Sequence, residues 1–284
     1  EAENLRVQAR ENPGLRDQIR AGRERLAVED GSVDSVEAAL RKAFADIVEA
    51  LKDESNSAVK RVILTASLAD LERLLGDQLS EAQRAMVRGM ADLLVTNQEL
   101  AAATAQVPAG TLGLRSSSLD ILVSTKDIED FWRGKVIMPA ASIIKESFVS
   151  AAAGETLNTA IARTQDQLDT SVARAVTAVR TNLASFDRLA AEQSAVLVGL
   201  DIRVYLGPLD SLTRTFCRWL INKAFTLDQV AELDNGQTGP GLWGGGGYNC
   251  RHRWVSVREP MLERMGIKRG SDADIERANL AGAR

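Results

Sequence analysis

Four side chains in the last third of the chain have the types that could share a site: Asp210, Cys217, Cys250 and His252. One carboxylate, two thiolates and one imidazole make a tetrahedral zinc set. Cys250 and His252 are two residues apart, so on a strand both would face the same way. Cys217 and Asp210 would have to be brought over by the fold. Two other readings of the cysteines stay open. Buried free thiols are ordinary, because Cys is among the most buried residue types. A Cys217–Cys250 disulfide needs an oxidising environment. His252 is the only histidine and could act as a base near neutral pH. No Ser or Cys nucleophile stands at a recognisable elbow, and nothing in the sequence lowers the Cys250 pKa. We therefore assign no catalytic and no cofactor-binding residue and expect no cofactor, with zinc as the alternative. In the structural reading His252 donates hydrogen bonds. Arg251 and Arg253 then point to the opposite strand face, to pair with carboxylates of this chain or of a partner subunit.

The glycines at 244–247 do not form a phosphate cradle. A P-loop requires Lys and then Ser or Thr after its glycines, whereas Tyr248-Asn249-Cys250 follows here. The run instead permits a sharp bend and close backbone approach. Trp243, Tyr248 and Trp254 flank it and are expected to cover a small core, with an exposed ring able to anchor a partner.

The best-specified local element lies just upstream. Thr226 reads as a helix N-cap and Gln229 as its capping-box partner, while Phe225 and Val230 occupy the two positions of a hydrophobic staple. Residues 202–206 alternate as a strand, Gly207-Pro208 turns the chain, residues 211–222 read as a helix, and 248–257 as a closing strand ended by Pro260. Residues 261–265 read as a short helix.

Helical spacing dominates the rest. Val36, Leu40, Phe44, Ile47 and Leu51 recur at three and four residues, and Val59, Val62, Ile63, Ala66, Ala69 and Leu74 continue the pattern to a stop at Gly76. Ser80 with Gln83 predicts a capped helix bearing Met86, Met90, Leu93, Leu94 and Leu100. Pro108 ends it before a loop and the brief apolar run at 121–123. Thr125 predicts the next cap, Pro139 a break, and 151–154 a tight packing site or hinge. Leu168, Val172, Val176, Val179, Leu183, Phe186 and Leu189 mark a long amphipathic helix, packed within the chain or forming an oligomer seam.

The predicted fold is mainly α, a long-helix bundle with a small C-terminal α+β domain. Its segments are an N-terminal arm at 1–30 ending at the Asp30-Gly31-Ser32 interruption, a helical domain at 31–199, a small α+β cap at 200–260 and a tail at 261–284. Composition agrees: 45% hydrophobic residues support a core, while 4% aromatics suit helices of Ala, Leu and Val better than a sheet. A net charge of −4 excludes a strongly basic nucleic-acid binder. Two cysteines exclude a disulfide scaffold, and no apolar run is long enough for a transmembrane helix. The start, Glu1-Ala2-Glu3-Asn4, has no signal segment and no initiator Met, so a trimmed or renumbered start and assembly in a reducing cytoplasm are expected.

Residues 157–257 resemble the head-morphogenesis domain of phage minor head proteins, the family that includes those of phage Mu and several siphophages. The resemblance rests on Ile161-Ala162-Arg163-Thr164, Arg203-Val204-Tyr205, Asp210, Thr215-Phe216-Cys217, the turn region 220–226 and Asn249-Cys250-Arg251-His252. It departs from the family by lacking a second cysteine near Cys217 and by placing its histidine after the Cys-Arg step. The resemblance implies a non-enzymatic virion protein near the portal vertex, assembled in the host cytoplasm and active in head assembly and genome retention or delivery. It could be a minor head protein or a head-to-tail adaptor. Its expected partners are the portal protein, further copies of itself (a twelve-fold ring) and neighbouring head or tail proteins. Phe225, Thr226, Gln229, Trp243, Tyr248, Arg251, Arg253 and Trp254 are the candidate structural and interface residues. Two alternatives remain: an attached hydrolase or toxin-like domain, and nonspecific DNA contact through Arg251, Arg253, Lys268 and Arg269.

Overall fold

The computed structural model describes residues 16–52, 67–108, 112, 123–152, 156–238 and 240–283. The first fifteen residues of the arm lie outside these. So do Val59, Val62, Ile63 and Ala66, the Ile121-Leu122 pair and the hinge residues Ala153 and Gly154. The protein is mainly α-helical, with one small four-stranded sheet near the C-terminus. No helix among the described residues is long and apolar enough to cross a membrane.

Two compact units account for the chain. One comprises Glu1–Asp30, Gly89–Leu122 and Arg180–Arg284, the other Gly31–Arg88 and Val123–Val179. Three of the four boundaries fall inside long helices: α1 (Arg16–Lys52), α3 (Ser80–Ala105) and α6 (Leu157–Leu197).

α1 corrects the expected break at Asp30-Gly31-Ser32, because it runs through without interruption. A glycine inside a helix costs about 1 kcal/mol relative to alanine, which tertiary contacts of the flanking turns readily exceed. Val33, Val36, Leu40 and Phe44 on one side of Gly31, and Arg25 and Glu29 on the other, are all buried.

In the second unit, α2 (Leu68–Gln78) packs on α5 (Met138–Ala152), with α4 (Thr125–Trp132) and a π-helical turn (Arg133–Ile137) between them in sequence. The caps differ from expectation. Ser67 with Asp70 and Ser124 with Asp127 form the capping boxes. Thr125 and Ser80 instead open their helices as first residues, and Gln83 bonds back to the Leu79 carbonyl. Gly76 lies within α2 rather than ending it. Pro139 does not break the helix either. The Met138 N–H reaches the Arg133 carbonyl across the widened π turn, and this local loosening accommodates a ring that would otherwise press on the preceding turn. Leu168, Val172 and Val179 of α6 are buried as predicted, and Val176 half-buried.

The first unit holds the sheet. Its order is β3 (Arg253–Val257), β1 (Ile202–Leu206), β2 (Lys223–Thr226), β4 (Lys268–Arg269), antiparallel except for the β2–β4 pair. Period-two alternation sorts its side chains onto two cores. Val204, Ala224, Val255 and Val257 join Leu262 and Met265 of α10 (Glu259–Met265) on one face. Tyr205, Phe225 and Trp254 join Phe216, Cys217 and Leu220 of α7 (Thr215–Leu220) on the other.

The closing strand is shorter than predicted: β3 begins at Arg253, and Tyr248 to His252 precede it without ladder bonds. Pro260 sits in the first turn of α10, where its missing N–H costs nothing. The residues of the expected tail beyond its short helix form β4 and α11 (Asp272–Gly282), which packs on α7 and buries Ile275 and Ala278. The predicted Thr226–Gln229 capping box starts α8 (Leu227–Ala231), and both staple residues, Phe225 and Val230, are fully buried.

Candidate functional site

Cys217 enters the cluster from the buried side of α7. Cys250 and His252 enter from the irregular segment ahead of β3. This segment is bent by a short helical turn, α9 (Gly241–Gly244), and by left-handed backbone at Gly245, Gly247 and Asn249. The two sulfurs lie 3.9 Å apart as free thiols. Cys250 Sγ is 3.8 Å from His252 Nδ1, and Tyr205 Oη is 3.5 Å from each sulfur. All four side chains are buried. Gly246 closes the back of the cluster. Its N–H donates to Cys250 Sγ at 3.1 Å, and a Cβ there would overlap the Cys217 sulfur.

The imidazole is fixed from behind. Its Nε2 lies 2.9 Å from the Pro208 carbonyl, an acceptor only, so Nε2 carries the proton and Nδ1 offers its lone pair to the sulfurs. The ring stacks on Tyr205 at 5.3 Å between centroids, and Gly207 lies flat against it with no room for a Cβ.

Asp210 is not part of this cluster. Both of its oxygens take 2.8 Å hydrogen bonds from the Arg251 guanidinium, and Oδ1 also accepts from the Thr213 hydroxyl. The arginine holds its carboxyl well below the usual carboxylate range. Only Cys217, Cys250 and His252 form a ligand group among the described residues, with ligand atoms within 4.8 Å of one another. Where Asp210 was expected, the Tyr205 hydroxyl lies beside the two sulfurs.

The two thiols differ in acidity. Cys250 is drawn down by the Cys217 S–H, against the opposing effect of burial, with further help from His252 and Arg188. Cys217 is pushed up by its bond to Cys250 and by burial. Burial and the nearby Cys250 sulfur push the Tyr205 phenol up, so it stays protonated and can donate.

No family model, curated protein or solved structure matches this chain.

Behind the thiols lies a buried ionic network that the sequence did not announce. Arg188 donates to the carbonyls of Trp243, Cys250 and His252 at 2.9–3.1 Å. Arg253 donates to the same Cys250 and His252 carbonyls and to Glu29, and its Nε lies 2.8 Å from Asp187 Oδ2. Asp187 accepts from Asn97, which also holds Arg25. Arg203 makes a two-bond pair with Glu192 at 2.5 and 2.6 Å. Burial alone would lower the Arg253 pKa, but Glu29 and Asp187 outweigh it and raise it. The expectation that Arg251 and Arg253 pair with carboxylates is thus met within this chain. The signal that could have found the network is charge on an apolar face: Asp187, Arg188 and Glu192 interleave with Phe186 and Ala190 on α6.

The remaining candidates divide by exposure. Trp254 is buried and donates to the Gly241 carbonyl. Trp243 packs partly against the same core, while Tyr248 stays half exposed.

Proposed function

We propose that this chain is a structural protein of a tailed-phage particle, a minor head protein or head-to-tail connector seated near the portal vertex. The observation that carries the reading is the 3.9 Å approach of Cys217 to Cys250. The family resemblance requires the Asp-to-Cys segment and the closing Cys-Arg segment to share one core. Here α7 and the segment before β3 do so, with Asp210 tied to Arg251 beside them. Internal ion pairs of Arg251 and Arg253 also favour a structural role over DNA contact, because these guanidiniums are already engaged. Cys250 and His252 are both buried, which suits a strut better than a hydrolase.

The reading is tested by mass spectrometry and reconstruction of the intact particle, together with binding of the purified chain to purified portal protein. Several copies at one vertex and a stable portal complex are expected. A particle in which the chain is missing from the portal region would overturn the proposal.

A further inference from the structure

We propose that Cys217, Cys250 and His252 hold a zinc ion in the core of the sheet-bearing unit. Zinc bonds of about 2.3 Å to sulfur and about 2.0 Å to nitrogen or oxygen give tetrahedral edges of roughly 3.8 Å between sulfurs and roughly 3.5 Å from sulfur to the lighter atoms. The sulfurs stand 3.9 Å apart, and Cys250 Sγ lies 3.8 Å from His252 Nδ1. The ligand atoms of Cys217 and His252 lie within 4.8 Å, the longest permitted edge of the three. The Tyr205 hydroxyl, 3.5 Å from both sulfurs, covers the fourth corner.

Three features orient the ligands before any ion arrives. The Pro208 carbonyl accepts a hydrogen bond from the Nε2–H, which leaves Nδ1 as the ligating nitrogen; metal-bound histidines are ordinarily braced in this way. The Gly246 N–H points at Cys250 Sγ, where it stabilises a thiolate. Arg188 grips the carbonyls on either side of Arg251 and so fixes the spacing of Cys250 and His252. On binding, both thiols release their protons to solvent, and two thiolates neutralise the ion. Sulfur and imidazole ligands select a borderline-soft ion over calcium or magnesium.

The test uses the isolated full chain, so its result is independent of any place in a particle. Purified under reducing conditions, the protein is expected to carry about one zinc per chain by elemental mass spectrometry. With Co2+ it should show the thiolate charge-transfer and intense visible bands of tetrahedral coordination, lost on adding Zn2+. Cys217→Ser and Cys250→Ser should reduce zinc to background, while His252→Cys, which keeps a ligand at that corner, should retain it. Should the serine variants fail to fold, the cobalt spectrum of the unmodified chain decides. A metal-free chain with no cobalt bands, whether its cysteines are free or joined as a disulfide, would overturn the proposal.

Discussion

Arg253 Nε lies 2.8 Å from Asp187 Oδ2, and both side chains are sealed from solvent. Their approach is an ion pair without hydrogen-bond alignment at that nitrogen. It joins the first residue of β3 to the last third of α6. Through Glu29 on the same guanidinium, it also joins α1. The segment that carries Cys250 and His252 is thus anchored to the parts of α1 and α6 that belong to its own unit.

Removing one partner should be severe. Asp187→Asn leaves Arg25 and Arg253, both buried, with less compensation. Breaking a buried pair in this way typically costs about 3–5 kcal/mol. Urea denaturation followed by far-UV circular dichroism is expected to show a loss of that order. A loss below about 1 kcal/mol would mean that the network carries little of the stability. A double-mutant cycle with Arg253→Met should show strong coupling, since the two sites share one contact.

Acid should dissolve the same anchor. Burial raises the Asp187 pKa, but the attraction of Arg25 and Arg253 and the Asn97 hydrogen bond outweigh it, so the net shift is downward. The folded protein therefore binds fewer protons here than the unfolded chain. The resulting stability is complete above the unfolded carboxylate pKa of about 3.9 and is lost as pH falls through the lower folded value. Urea midpoints measured from neutral pH down to about pH 3 should fall below about pH 4. In Asp187→Asn that acid-side slope should be shallower, and an unchanged slope would assign acid sensitivity to other carboxylates, such as Asp274 beside Lys223.

Two glycines of opposite character make a paired test. Gly246→Ala drives a methyl into the Cys217 sulfur, an overpacking expected to cost about 1–3 kcal/mol and to quicken reaction of the thiols with a disulfide reagent. Gly31→Ala meets nothing within 4 Å inside α1 and should instead stabilise by about 0.5–1 kcal/mol. Thermal melts of the two variants should move in opposite directions, and a shared direction would contradict the packing described here.

What was legible in the sequence was local. The Thr226–Gln229 capping box, the Phe225–Val230 staple, strand β1 and the buried stripe of α6 follow from interactions within a few residues, so their spacing alone encodes them. Where a local signal misled, a longer-range contact was stronger: buried turns on both sides carried α1 through Gly31, and a π turn let the chain pass Pro139. The candidate site is a different case. That Cys217 meets Cys250, that the Tyr205 hydroxyl and not Asp210 lies beside their sulfurs, and that Arg253 finds Asp187 and Glu29 were decided by tertiary structure alone. These partners are separated by 12 to more than 200 residues. Their choice depends on which buried charges and sulfurs can satisfy one another once the sheet and helices have closed, and no spacing along the chain carries that information.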